Sequence, residues 1–251
     1  MRSGRLHARV TEAIGRSILR GEIEPGHALP VEDALAAEHG VSRAVIREAM
    51  KSLSAKGMVS VRPSRGTRVL PRGRWQILDP DVLDWLGGSP PEPDFVTELL
   101  ELRLMIEPEA ARLAARRATV EDVAAMRAAL ARMAAALDGE GDYVTADIAF
   151  HEALLEAAHN RFLNQLGSAM SRLLRFGTNL SWRYPDAARG SLPVHGAVLE
   201  AVARGDGEEA AAHVLHLIER HERHLRGMLG SMPGGVDHMA RNSADGEENR
   251  S

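Results

Sequence analysis

Asp147 and His151 stand four residues apart in a stretch of helical period, which puts a carboxylate and an imidazole on one face, a turn apart. Such a pair can hold a divalent cation. His195 lies within Leu192-Pro193-Val194-His195-Gly196-Ala197-Val198-Leu199, an apolar run in which a neutral imidazole needs a partner, and it is a candidate third ligand. Spacing alone leaves another account open, a capping aspartate and two locally satisfied histidines. Arg103 sits among Leu99, Leu100, Leu102, Leu104, Met105 and Ile106, where a buried guanidinium must meet an anion. Glu107, one turn on, would form an internal ion pair, the simpler reading; the alternative is a two-pronged clamp for a ligand carboxylate. His213, His216, His221 and His224 fall on a final amphipathic helix packed through Val214, Leu215, Leu217, Ile218 and Leu225, and most of them are expected to face solvent.

A second group of residues is suited to nucleic acid. In Val41 to Leu53, Val45, Ile46, Ala49, Met50 and Leu53 form one stripe, while Ser42, Arg43 and Arg47 project from the opposite face of the first turns. Arginines so placed can reach guanine edges or phosphates from a major-groove helix. A charged, solvated helix would look the same by itself, so the flanking elements decide. Arg5 to Leu19 carries Val10, Ile14, Ile18 and Leu19 at helical spacing and is stopped by Gly21; Glu32 to Glu38 forms a short second helix; Gly40 permits a tight turn into Ser42, a candidate cap for the third. Met58 to Arg62 and Thr67 to Leu70 alternate like strands around Pro63-Ser64-Arg65-Gly66. Residues 1–72 therefore read as a winged helix-turn-helix, with Arg65, Gly66 and Thr67 on the wing as further DNA contacts.

Charge supports this division. Residues 1–74 hold 14 Lys and Arg against 7 Asp and Glu, a balance of +7, whereas the remainder balances at −11. A basic head on an acidic body draws phosphates to one region without making the whole chain a nonspecific polyanion binder. Residues 73–93 hold Trp75, Ile77, Leu78, Val82, Leu83, Trp85 and Leu86, apolar enough for a linker that packs a short helix at 81–86 before the Gly87-Gly88-Ser89-Pro90-Pro91 hinge. From 94 to 230 the chain is Ala-rich with few aromatics, and breaks at Thr119, Gly139 to Gly141, Asn160, Pro185 and Gly205 divide it into an antiparallel bundle of six or seven helices. The fold class is mostly α. Residues 231–251, nearly devoid of apolar side chains, are expected to be disordered. There is no cysteine, signal core or membrane-length apolar span, which suits a cytoplasmic protein.

These residues resemble the GntR family of bacterial transcription regulators, and the C-terminal part resembles its FCD subfamily. The resemblance runs from residue 5 to about 229. It is carried by Gly21-x-x-x-Pro25-Gly26-x-x-Leu29-Pro30-x-Glu32 and Val41-Ser42-Arg43-x-x-x-Arg47-Glu48, then by Arg103-x-x-x-Glu107-Pro108, Asp147-x-x-x-His151-Glu152 and His159-Asn160. The resemblance implies a homodimer that binds operator DNA and is released by a small carboxylate effector, a galactonate-like sugar acid. It implies a divalent metal on Asp147, His151 and His195, zinc first and nickel or manganese next, with His216 or water completing the shell because the usual last histidine falls at Leu217. It also implies an effector pocket with Arg103, Trp182 and Ser191, and it marks Asp33 as a departure, since many relatives carry a DNA-contacting arginine there. A metal-dependent hydrolase or isomerase using the same ion is the alternative, but no paired general base stands out, and such an enzyme would have no use for a basic winged head.

Overall fold

The computed structural model describes residues 2–62, 66–86, 93–181 and 185–229, which fall into two compact units dividing at Pro90 and Pro91. The first unit begins with α1 (Arg2–Leu19), α2 (Glu32–His39) and α3 (Arg43–Ala55), followed by the hairpin β1 (Val59–Arg62) and β2 (Gly66–Val69). Val59 pairs with Val69 and Arg62 with Gly66, antiparallel, and residues 26–29 run beside β2 through backbone bonds to Thr67 and Val69. The turn between α2 and α3 depends on Gly40, whose left-handed backbone lets its own N–H and that of Val41 cap carbonyls of α2. Ser42 is at the N-cap of α3, but its hydroxyl accepts no capping bond, so the expected serine cap is absent.

The stripe on α3 is buried as the period demands. Val45, Ile46, Ala49, Met50 and Leu53 join Val10, Ile14 and Ile18 of α1 and Met58, Val59 and Val69 of the hairpin in one core. Residues beyond the hairpin complete that core: Trp75 and, from α4 (Pro80–Leu86), Val82 and Trp85. Trp85 lies so close to α1 that a Cβ on Gly15 would come within 2.5 Å of its ring. Lys56, nearly buried, fixes the same segment through Asp79 (2.6 Å) and Asp81 (2.7 Å), with its ammonium over the Trp85 ring.

The second unit contains α5 (Pro93–Arg117), α6 (Val120–Leu137), α7 (Tyr143–Ala157), α8 (Arg161–Ser181), α9 (Pro185–Arg204) and α10 (Gly207–Leu229). These six helices match the bundle expected from the breakpoints. α10 packs on α5 and α9, and α7 packs on α6, α8 and α5. Small residues, Ala111, Ala114, Ala129, Ala146, Ala201 and Ala210 among them, let the helices approach around Met126, Met133, Phe150 and Leu199. The His159-Asn160 motif is architectural. His159 takes a left-handed backbone, its ring meets Asp122 at 2.7 Å, and Asn160 Oδ1 accepts from Phe162 N–H at 3.0 Å to start α8.

Candidate functional site

α7 is the central element of the buried site. Its spacing sends Asp147 and His151 inward with Ile148 and Leu155, and α9 brings His195 to meet them; one ligand-capable atom from each lies within 4.8 Å of the others. All three side chains are buried. His195 Nδ1 donates to the Ser191 carbonyl at 3.0 Å, a bond that fixes the tautomer and turns Nε2 toward Asp147 Oδ1, 3.1 Å away. His151 Nδ1 stands 3.0 Å from Glu107 Oε2. Neither of these two contacts has the alignment of a hydrogen bond, so among the described residues two buried imidazole nitrogens, His151 Nδ1 and His195 Nε2, lack one. Phe150, fully buried, packs edge-on against the His195 ring.

Arg103 adjoins the cluster. Its guanidinium meets Glu107 one turn on through Nε (2.5 Å) and Nη2 (3.3 Å), with both residues buried. The internal ion pair therefore exists, and its carboxylate also faces His151. Burial pushes the Glu107 carboxyl up, but Arg103 and His151 outweigh it and hold the group far below the usual carboxylate range. Asp147 behaves alike: burial raises it, and His195, His151 and Arg103 lower it further. The site is a mixed-charge cluster with nitrogen and oxygen donors, the donor set that a borderline divalent cation takes.

The remaining pocket candidates fall differently. Ser191 is buried beside the cluster, and its hydroxyl is 2.7 Å from the Tyr143 hydroxyl, which also donates to the Ala188 carbonyl. Trp182 lies outside the described residues. His216 is exposed while Leu217 is buried, so His216 does not turn toward the cluster. Sequence reasoning missed His221. It continues the inward stripe of Val214, Leu217 and Ile218 by one turn and is half-buried there. Burial, reinforced by Arg103 and His151 against the opposing carboxylates of Asp147 and Glu107, lowers its imidazole below the ordinary histidine value. The stripe itself was the available signal. The double engagement of Glu107 had none beyond its spacing from Arg103.

On the head, Ser42, Arg43 and Arg47 are exposed on the face of α3 opposite its buried stripe, and Gly66 and Thr67 begin the second strand of the wing. Arg65 lies outside the described residues. Both arginines are engaged within the chain: Arg43 with Asp33, and Arg47 Nε with Glu32 Oε2 at 2.8 Å.

A winged helix-turn-helix and a helical bundle with this buried cluster define a class. The profile of bacterial regulatory proteins of the gntR family matches residues 6–69, and that of the FCD domain matches residues 98–220. The chain belongs to the GntR family and is a DNA-binding transcription regulator of its FCD type. It is similar to the galactonate operon transcriptional repressor of Escherichia coli K12, 36% identical over 219 residues, covering 87% of this chain and 96% of that one. It is also similar to the transcriptional regulator LutR of Bacillus subtilis 168, 32% identical over 204 residues, covering 79% and 91%. In fold it is similar to the solved structure of Lar, described as controlling expression of the Listeria monocytogenes agr system. That match has a TM-score of 0.61 and 20% identity, and covers 88% of this chain and 97% of the other. The relatives are named as regulators of transcription, not as enzymes, against the hydrolase or isomerase alternative. No described helix is long and apolar enough to cross a membrane.

Proposed function

We propose that the protein is a homodimeric, cytoplasmic repressor released from its operator by a sugar acid of the galactonate type bound beside a divalent cation. The observation that carries this reading is the convergence of Asp147, His151 and His195 next to Arg103 in one buried cluster. The name of the galactonate operon repressor, which matches across most of both chains, supports the effector class and the sign of regulation. Labour divides between the head of residues 1–72, the linker 73–93 and the effector and dimerisation body 94–230.

Asp147, His151 and His195 would hold the ion, which supplies a Lewis-acidic anchor for carboxylate and hydroxyl oxygens. Zinc suits the imidazoles; nickel and manganese suit a shell completed by water. The Ser191 carbonyl holds the His195 tautomer, and Glu107 faces the Nδ1 side of His151, leaving each Nε2 as the donor. Arg103 offers a fork for a carboxylate, though a ligand must draw it from Glu107. Ser191 and Trp182 complete the proposed pocket. On the head, Ser42, Arg43, Arg47, Arg65, Gly66 and Thr67 form the DNA face, the uncapped amides at the start of α3 adding a place for a phosphate.

The test uses a duplex selected by the purified protein from a random pool. Galactonate, gluconate, 2-keto-3-deoxygalactonate and lactate are titrated into the complex, with and without prior chelation. The reading requires release by a sugar acid that chelation or Arg103→Ala abolishes. If no acid of this set shifts binding, or if release survives both changes, the effector assignment falls.

A further inference from the structure

The two arginines on the reading face of α3 are not free cations. Asp33 grips Arg43 through both Nε and Nη2, and Glu32 accepts from Arg47 Nε. The two acids are consecutive and occupy the first turn of α2. All four side chains are open to solvent, so burial does not lock the guanidinium groups there. An arginine engaged in this way reaches DNA only by exchanging its carboxylate for a base edge or a phosphate, and the abandoned carboxylate is left close to a polyanion.

We propose that Glu32 and Asp33 are intramolecular competitors of DNA for Arg47 and Arg43, and that they hold the affinity of the head below what its cationic surface would support. The proposal rests on the reading that these two arginines contact DNA. An exposed ion pair shifts an equilibrium by up to about fivefold, so each acid lowers operator affinity by about two- to fivefold. Unrelated DNA is weakened by no more than this, because an arginine that stays on its carboxylate in a nonspecific complex loses nothing. A regulator tuned in this way is released by a ligand with a smaller preference for the unbound form.

The experiment measures the affinity of the full chain for the selected duplex and for a scrambled duplex of equal length over a range of KCl concentrations. Asp33→Asn and Glu32→Gln are expected to tighten the selected duplex about two- to fivefold each and the scrambled duplex by no more than that. The gain is expected to vanish in Asp33→Asn/Arg43→Ala and Glu32→Gln/Arg47→Ala. Unchanged or weaker binding by the acid variants, while Arg43→Ala and Arg47→Ala weaken it, overturns the competition and spares the DNA face. A gain that persists in full without the arginine overturns it too, because simple repulsion of DNA then explains the effect. If Arg43→Ala and Arg47→Ala bind as the unaltered protein does, the reading of α3 fails and the proposal falls with it.

Discussion

The Glu107 carboxylate stands 3.0 Å from Nδ1 of His151 while holding the guanidinium of Arg103 one turn earlier on its own helix. One buried anion thus faces both the residue proposed to grip the effector and one proposed to hold the ion. Glu107→Gln leaves Arg103 buried without its counter-charge and is expected to cost the bundle about 3–5 kcal/mol. The double replacement Arg103→Met/Glu107→Leu removes both charges and is expected to recover most of that loss. Urea unfolding followed by circular dichroism checks this, and a double variant no more stable than the single one contradicts it.

His195 is held by a backbone bond on one nitrogen and faces Asp147 with the other. His195→Ala is expected to weaken divalent-ion binding by at least a hundredfold, given that loss of mere supporting contacts costs about 10–100-fold. Competition against a chromogenic chelator, on protein purified without an affinity tag, measures it. Equal retention of zinc by the variant removes His195 from the ligand set.

Lys56 and Asp79 give the head a predictable pH profile. Burial raises the Asp79 carboxyl, but Lys56 and the amides of Val82 and Asp81 outweigh it, so the folded value lies below the unfolded 3.8. Its contribution is present above about pH 4 and is lost as pH falls through the lower folded value. Lys56 is lowered by burial and raised further by Asp79 and Asp81, so its contribution holds below 10.5 and is lost as pH climbs through the higher folded value. Asp79→Asn is expected to destabilise the head by about 1–3 kcal/mol near pH 7 and to flatten both limbs. Melting from pH 3 to 11 tests it, and limbs as steep as in the unaltered chain would exclude the pair as their source.

Gly15 and Trp85 set a steric limit. Gly15→Ala places a methyl against the indole and is expected to cost about 1–3 kcal/mol or to unseat α4 from α1. Tryptophan emission shifting to the red, together with a lower melting temperature, is the expected result; an unchanged spectrum and melting point contradict the close packing.

Much of this arrangement is legible from residue types and spacing because each element carries its own signal. α3 is marked by its apolar stripe, the turn before it by Gly40, the wing by two alternating runs, and the breaks between bundle helices by Thr119, Asn160 and Gly205. Asp147 and His151 share a face by helical period alone. What periodicity does not encode is which faces of distant helices meet. Glu107 and His151 come from α5 and α7, and only the packing of those helices shows one carboxylate serving two partners. His221 was not singled out because four histidines crowded on one helix look like a wet face, whereas the stripe through Val214 and Leu217 turns this one inward. The pairing of Arg43 with Asp33 and of Arg47 with Glu32 depends on how α2 crosses α3, which neither helix states by itself.

The charges in the bundle site are unequal. Apart from the histidines, Arg103 stands against Glu107 and Asp147, both held ionised, which leaves the cluster with one negative charge in excess. In the proposed reading a divalent ion reverses that sign. With the imidazoles neutral, the interior would then favour a cation before the metal arrives and an anion afterwards, which acts as a rectifier on the order of entry. On that reading a sugar acid reaching the site first would meet repulsion, its effect on the operator would be conditional on metal supply, and a cell short of the ion would keep its operator closed whatever the carbon source.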